Sequence, residues 1–133
     1  MFAGKGSNEK EHNEVVEMLQ EYEPNVELVG HKSNPFPYIK NADYLVLMSD
    51  RETSGLVITE AKIIGTPCIV SNFEAAYEQI TDGKNGFIID RDNVEEFRNR
   101  LSEIVQFKNK LKENLKKSEY HKEDILKIWK KLL

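Results

Sequence analysis

Ser49-Asp-Arg-Glu-Thr-Ser-Gly-Leu-Val-Ile-Thr-Glu-Ala-Lys-Ile-Ile-Gly-Thr-Pro-Cys-Ile-Val-Ser71 decides how this chain folds. The apolar run Tyr44-Leu-Val-Leu-Met48 leads into it as a strand and becomes polar at Ser49. A helix is expected from about Ser54 to Ile64, stopped by Gly65, with Pro67-Cys-Ile-Val70 as the next strand. A strand, a polar turn, a helix and a second apolar strand make one unit of a parallel sheet. Ligands of such sheets bind at the turns outside the carboxyl ends of the strands. A helix beginning there offers unpaired N–H groups and a partial positive charge.

Two carboxylates frame this turn, Glu52 and Glu60. If both were helical they would stand roughly 80° apart in azimuth and about 12 Å apart along the axis. The more economical placement puts Glu52 in the turn and Glu60 in the second turn of the helix. Helical side chains lean toward the N-terminus, so Glu60 leans toward the mouth that Glu52 lines. Between them lie the N–H groups of Gly55, Leu56 and Val57, the ones left without intrahelical acceptors. An anion site with a hydrogen-bond acceptor on either side suits a nucleotide sugar, in which a diphosphate separates a ribose from a second sugar. The bland alternative is a narrow exposed strip of Thr59, Glu60 and Lys62 on an otherwise apolar helix. Against it, a carboxylate on so apolar a helix needs a partner or a wet cleft.

The Glu-x7-Glu pattern inside Glu52-Thr-Ser-Gly-Leu-Val-Ile-Thr-Glu-Ala61, followed by Gly65-Thr-Pro67, resembles the signature of glycosyltransferase group 1, family 4, of the GT-B type. Tyr38-Ile-Lys-Asn-Ala-Asp43 upstream and Asp82-Gly-Lys-Asn-Gly-Phe-Ile-Ile89 downstream agree with it in order and spacing. The resemblance implies the C-terminal, donor-binding Rossmann-like domain of a two-domain enzyme: an α/β fold with an open parallel sheet and helices on both faces, here without its first strand. It implies that Glu60 hydrogen-bonds ribose hydroxyls, that the amides of Gly55, Leu56 and Val57 receive the diphosphate, and that Glu52 meets donor-sugar hydroxyls near the reacting carbon as the catalytic carboxylate. The loop His31, Lys32, Ser33 and Asn34 would flank the nucleobase. No metal and no cofactor is implied beyond the nucleoside-diphosphate sugar itself. The reaction implied is sugar transfer to an acceptor hydroxyl with retention, in glycan or cell-surface polysaccharide synthesis.

Three departures qualify that reading. Thr53-Ser54 stands where the family often has Gly-Phe, so Ser54 is a candidate helix cap or hydroxyl contact and the donor's identity stays open. The Arg and Lys that the family places after the domain's first strand have no counterpart. The acceptor-binding N-terminal domain is missing from the sequence. The expectation is therefore a piece of a larger cytoplasmic transferase, inactive alone, its parent enzyme a candidate for peripheral membrane association. The alternative is a stand-alone nucleotide- or protein-binding module that kept the fold. A receiver-like reading, with Asp50 as phosphoacceptor, lacks the paired acids that a cation site needs.

Length and composition bound these readings. A chain of 133 residues, 39% hydrophobic and 32% charged, is enough for one domain with a core. It holds no apolar run of the roughly 18 residues a membrane span needs. One cysteine, Cys68, excludes an intrachain disulfide and fits a reducing compartment. The net charge of −4 is uneven: residues 107–133 carry 9 lysines against 4 acids, and the remainder is acidic. A solvated helix face explains the basic end, and the acidic body argues against nucleic acid.

Along the chain, Met1-Phe-Ala3 before Gly4-Lys-Gly-Ser7 reads as a strand cut short. Asn8–Tyr22 is amphipathic with a capping pair in Asn8 and Glu11, and Val26–Val29 reads as a strand closed by Gly30. Pro35 opens a short helix to about Asn41, Tyr38 and Ile39 inward. Tyr44–Met48 reads as a strand covered on both faces, as a parallel sheet requires. The helix after it is apolar nearly all round and should be largely buried. A short helix is expected at Glu74–Ile80, a turn at Asp82–Gly86 and a strand at Gly86–Ile89. Asn93 and Glu96 can cap a helix that buries Val94, Phe97, Leu101, Ile104 and Val105. A break near Gln106–Lys108 is expected to set off a basic segment, residues 107–133, whose Tyr120–Leu133 stretch is again helical. An open sheet edge leaves dimer formation by strand pairing as a further expectation.

Overall fold

The structure is a computed structural model that describes residues 13–14, 17, 26–27, 29–52 and 55–117. The strand and turn expected over residues 1–7, most of the Asn8–Tyr22 helix, Ser54 and the Tyr120–Leu133 helix lie outside the described residues. The chain divides into two units, Met1–Pro35 and Phe36–Leu133. In the first, Asn13, Glu14 and Glu17 are helical and exposed. Val26, Glu27 and Val29 belong to no strand, against expectation. A strand exists through its ladder, and the apolar residues of this short run find no ladder partner among the described residues.

The second unit runs α1 (Phe36–Asn41), β1 (Leu45–Leu47), α2 (Leu56–Ile64), β2 (Cys68–Ser71), α3 (Glu74–Gln79), β3 (Gly86–Ile89) and α4 (Val94–Lys117). The sheet order is β1-β2-β3 and both pairings are parallel. Val46 stands opposite Ile69, and Ile69 opposite Phe87. Alternation along the strands then divides the core. Cys68 and Val70 point to a cluster with Ile39 of α1, Ile58 and Ala61 of α2, and Ala76 of α3. Ile69, Phe87 and Ile89 point the other way, to Ile104 and Leu111 of α4. The fold is the expected α/β arrangement, a parallel sheet with helices on both faces. No helix among the described residues is long and apolar enough to cross a membrane.

Three sequence expectations give way. β2 is buried at all four positions, but β1 is not covered on both faces: Val46 is 56% and Met48 39% exposed. Among the described residues β1 has a ladder partner on one side only, so it behaves as an edge. In α2 only Ile58 and Ala61 are buried and the other apolar residues are half-buried, because a helix laid on one sheet face covers one stripe.

The third correction concerns α4, which runs unbroken through Gln106–Lys108, so residues 107–117 are its second half and not a separate segment. That stretch contains neither glycine nor proline, and polar residues alone do not stop a helix. Its inward stripe is Phe97, Ile104, Phe107, Leu111 and Leu115. Val94, Leu101 and Val105 are exposed, contrary to expectation. Leu101 and Val105 follow Arg100 and Ile104 by one residue, about 100° around the helix.

Polar links fix the helices to the sheet. Arg100 donates to the Ile88 carbonyl at 3.0 Å and to Asp82 Oδ2 at 2.7 Å, and its guanidinium lies 5.2 Å from the Phe87 ring centroid. Asp82 Oδ1 accepts from the Ile88 N–H at 2.8 Å, which ties the glycine turn to β3. Tyr44 donates its hydroxyl proton to the Ile104 carbonyl, and burial pushes its pKa up to about 12. Lys108 and Lys112 hold Asp43, whose carboxyl falls below its usual range through the Lys108 hydrogen bond first. The expected cap is present: Asn93 Oδ1 accepts from the Glu96 N–H at 3.0 Å.

Candidate functional site

The site is built where β1 ends. Past Leu47 the chain becomes polar, and Ser49 donates its hydroxyl proton to the Arg51 carbonyl at 2.9 Å, which starts the turn. Gly55 closes it as N-cap of α2 at φ 55°, ψ 28°, in the left-handed region that glycine enters without a Cβ penalty. Its carbonyl accepts from the N–H groups of Ile58 at 3.0 Å and Thr59 at 3.2 Å. The N–H groups of Leu56 and Val57 precede that first helical bond and have no acceptor within the helix. No acidic side chain stands in the first turn of α2 to fill the place of an anion. At the other end Gly65, at φ 93°, stops the helix as expected. Its N–H reaches the Lys62 carbonyl, and that of Thr66 reaches Ala61.

Glu60 lies in the second turn of α2 and is half-buried. Glu52 lies in the turn and is also half-buried. Neither carboxylate has a hydrogen bond or ion pair among the described residues. Burial alone holds the Glu60 carboxyl above its ordinary value. Thr59 and Lys62, which the alternative reading placed on an exposed strip with it, are half-buried and both reach Gln79: Thr59 donates to Gln79 Oε1 at 2.8 Å and Lys62 to its carbonyl at 2.7 Å. Glu60 is therefore the acid on this helix without a partner among the described residues. His31, Lys32, Ser33 and Asn34 belong to the first unit and are exposed there.

The carboxyl edge of the sheet is tied together around this turn. Ser71, at the end of β2, donates its hydroxyl proton to the Ser49 carbonyl at 2.6 Å. Arg91, in the turn after β3, forms an ion pair with Asp50, which follows β1. Asp50 is thus engaged as an exposed structural carboxylate. No three His, Cys, Asp or Glu side chains converge among the described residues. Cys68 is a fully buried core residue of β2, and that burial raises its thiol to about 12.

A parallel sheet carries at its carboxyl edge a glycine-capped helix with a glutamate one turn in that has no partner among the described residues, and the profile of the glycosyl transferases group 1 matches the chain over residues 1–122. The chain belongs to that family. A poly(ribitol-phosphate) alpha-N-acetylglucosaminyltransferase of Staphylococcus aureus (strain COL) is 28% identical over 129 residues, 88% of this chain and 26% of that protein. The capsular polysaccharide biosynthesis glycosyltransferase CapM of Staphylococcus aureus is 28% identical over 82 residues, 62% of this chain and 22% of that protein. The crystal structure of TarM matches 98% of this chain with a TM-score of 0.69 and 26% identity, over 27% of its own length. The chain thus spans about a quarter of the length of these relatives.

Within this member of the family, the sequence shows Gly55, Leu56, Val57 and Glu60 as one helix start but not what braces it. Gln79 lies 24 residues beyond Gly55 and donates to its carbonyl at 3.3 Å. Ser71 and Arg91 are also contacts across the sheet edge, and no local pattern announces any of the three. What signal there was is indirect: Gln79 is polar and sits just before the buried Ile80.

Proposed function

We propose that the turn after β1 and the first turns of α2 are the donor-binding part of a glycosyltransferase that moves a sugar from a nucleoside diphosphate to an acceptor hydroxyl in polysaccharide synthesis. The observation that carries this is Glu60, half-buried and without a partner among the described residues, one turn inside a helix whose first N–H groups have no acceptor within the helix. The amides of Gly55, Leu56 and Val57 receive the diphosphate, and the helix dipole favours its charge. Glu60 accepts from the ribose hydroxyls. Glu52 faces the donor sugar, where a carboxylate steadies the positive charge that develops as the diphosphate departs. Transfer proceeds with retention of the anomeric centre. The relatives, one of them acting on poly(ribitol-phosphate) and another in capsular polysaccharide biosynthesis by their names, support an acceptor hydroxyl on a polysaccharide or polyol-phosphate polymer. Catalysis requires polypeptide beyond this sequence, and the isolated chain binds donor without turning it over.

Titration of the 15N-labelled chain with UDP, GDP and ADP tests this reading. The expected result is amide shifts clustered from Gly55 to Glu60 with one of the three, lost in Glu60→Ala. Shifts elsewhere, or equal shifts in Glu60→Ala, would show that the ligand sits in another place.

A further inference from the structure

The geometry points to Gln79 as the positioning residue that locks the phosphate-facing turn of α2 in its binding conformation, an inference that rests on the donor-site reading above. Gln79 closes α3, and its side-chain amide uses both ends on α2. Its Oε1 accepts from the Thr59 hydroxyl at 2.8 Å, and its Nε2 donates to the Gly55 carbonyl at 3.3 Å. The Gly55 carbonyl is the acceptor on which the first turn of α2 is hung, through Ile58 and Thr59. One side chain therefore grips the cap residue and the turn it starts.

The grip is itself held in place. The Gln79 carbonyl accepts from Lys62 Nζ at 2.7 Å and from Asn85 Nδ2 at 3.3 Å. Asn85 in turn accepts from the Thr81 N–H at 2.9 Å. Gln79 also packs so closely on Gly55 that a Cβ there would collide with its Nε2. The glycine thus answers two demands, a left-handed backbone and room for the glutamine.

This matters for binding because backbone amides recognise an anion only in a fixed orientation. A loose first turn lets Leu56 and Val57 point elsewhere and must be ordered at the expense of affinity. Gln79 touches no part of the proposed ligand; it acts through Gly55. An amide suits the task, since it alone among uncharged side chains of this length both accepts from Thr59 and donates to Gly55.

The test uses the whole chain and Gln79→Met, which keeps length and volume and removes both hydrogen bonds. Two readouts are taken: hydrogen exchange at the Ile58 and Thr59 amides without ligand, and affinity for whichever of UDP, GDP or ADP the wild-type chain binds. Gln79→Met is expected to speed exchange at Ile58 and Thr59 and to weaken nucleotide binding about 5-fold, with the α4 amides around Ile104 as protected as before. A purely structural role would slow or speed all of these together. Should the α4 amides loosen too, Thr59→Val decides, because it deletes one hydroxyl and leaves the core intact; wild-type affinity in that variant overturns the inference. Wild-type affinity and exchange in Gln79→Met overturn it directly. Binding lost in Glu60→Ala but kept in Gln79→Met overturns this inference alone, whereas a wild-type chain that binds none of the three nucleotides overturns the donor-site reading with it.

Discussion

Glu60 is a residue whose position costs stability and is suited to binding. Burial raises its carboxyl above the ordinary value. Between the two values the folded chain holds more protons than the unfolded chain, so stability falls as pH rises through that window. Above it the ionised carboxylate is a standing cost. Glu60→Gln removes the charge and nearly keeps the shape, so its Tm is expected to exceed that of wild type at pH 7 and to approach it at pH 4. The same change should weaken nucleotide binding by about 10-fold or more, since a hydrogen bond to a charged group contributes roughly 1.5–3 kcal/mol. Thermal scans at both pH values beside a titration check the pair; a lower Tm at pH 7 would mean that the carboxylate has a stabilising partner. Gly55→Ala makes a different case. A left-handed backbone at φ 55° costs an alanine about 1–2 kcal/mol, and the Cβ meets Gln79 as well. Urea unfolding should show a loss of about 2 kcal/mol or more. Glu60 and Gly55 were legible in the sequence because each belongs to a local pattern of acid, glycine and apolar spacing. Gln79 was not, because its contact with Gly55 exists only once α3 packs on α2.

At the scale of elements, β1, α2, β2, α3 and β3 match their sequence expectations to within one or two residues. Each is bounded by something chemical: Ser49, Gly65, Asn72 and the Asp82–Gly86 turn. α4 runs past the expected break because no such boundary exists at Gln106–Lys108: two polar residues flank Phe107, which stays on the inward stripe of the helix. The length of α4 has a consequence. A helix of 24 residues laid on the three described strands needs lateral ties, and Arg100 makes two of them. Its guanidinium satisfies the Ile88 carbonyl and Asp82 together. Arg100→Met keeps the apolar stem over Phe87 and deletes both bonds, so it should cost about 2 kcal/mol in chemical denaturation, within the roughly 1.5–3 kcal/mol given for bonds to charged groups. Hydrogen exchange should quicken first at Ile88 and Gly83, the amides that Asp82 and its turn organise. Uniform quickening along α4 would show instead that Arg100 holds the helix as a whole.

For the molecule as a whole, the parallel α/β class was readable because alternating strand and helix periods admit few other folds. The degree of cover was not. Two valines show why: Val46 and Val70 both sit in apolar runs, and nothing local separates them. Only the sheet order does, since β2 has a strand on either side and a helix on each face, while β1 has β2 alone among the described residues. Val70 is accordingly fully buried and Val46 56% exposed. Valine to threonine exchanges a methyl for a hydroxyl at constant shape, so it measures cover and little else. Val70→Thr places that hydroxyl among Ile58, Ala61 and Ala76 and is expected to cost about 1–3 kcal/mol, the range for a buried polar group without a partner. Val46→Thr leaves its hydroxyl in water and should stay within about 0.5 kcal/mol of wild type, as surface changes do. Unfolding both variants in urea gives the comparison directly. Equal losses would mean that β1 is covered in solution on the face where the structure leaves Val46 open. The size of the Val46→Thr loss therefore reads how far that face of β1 is covered in solution.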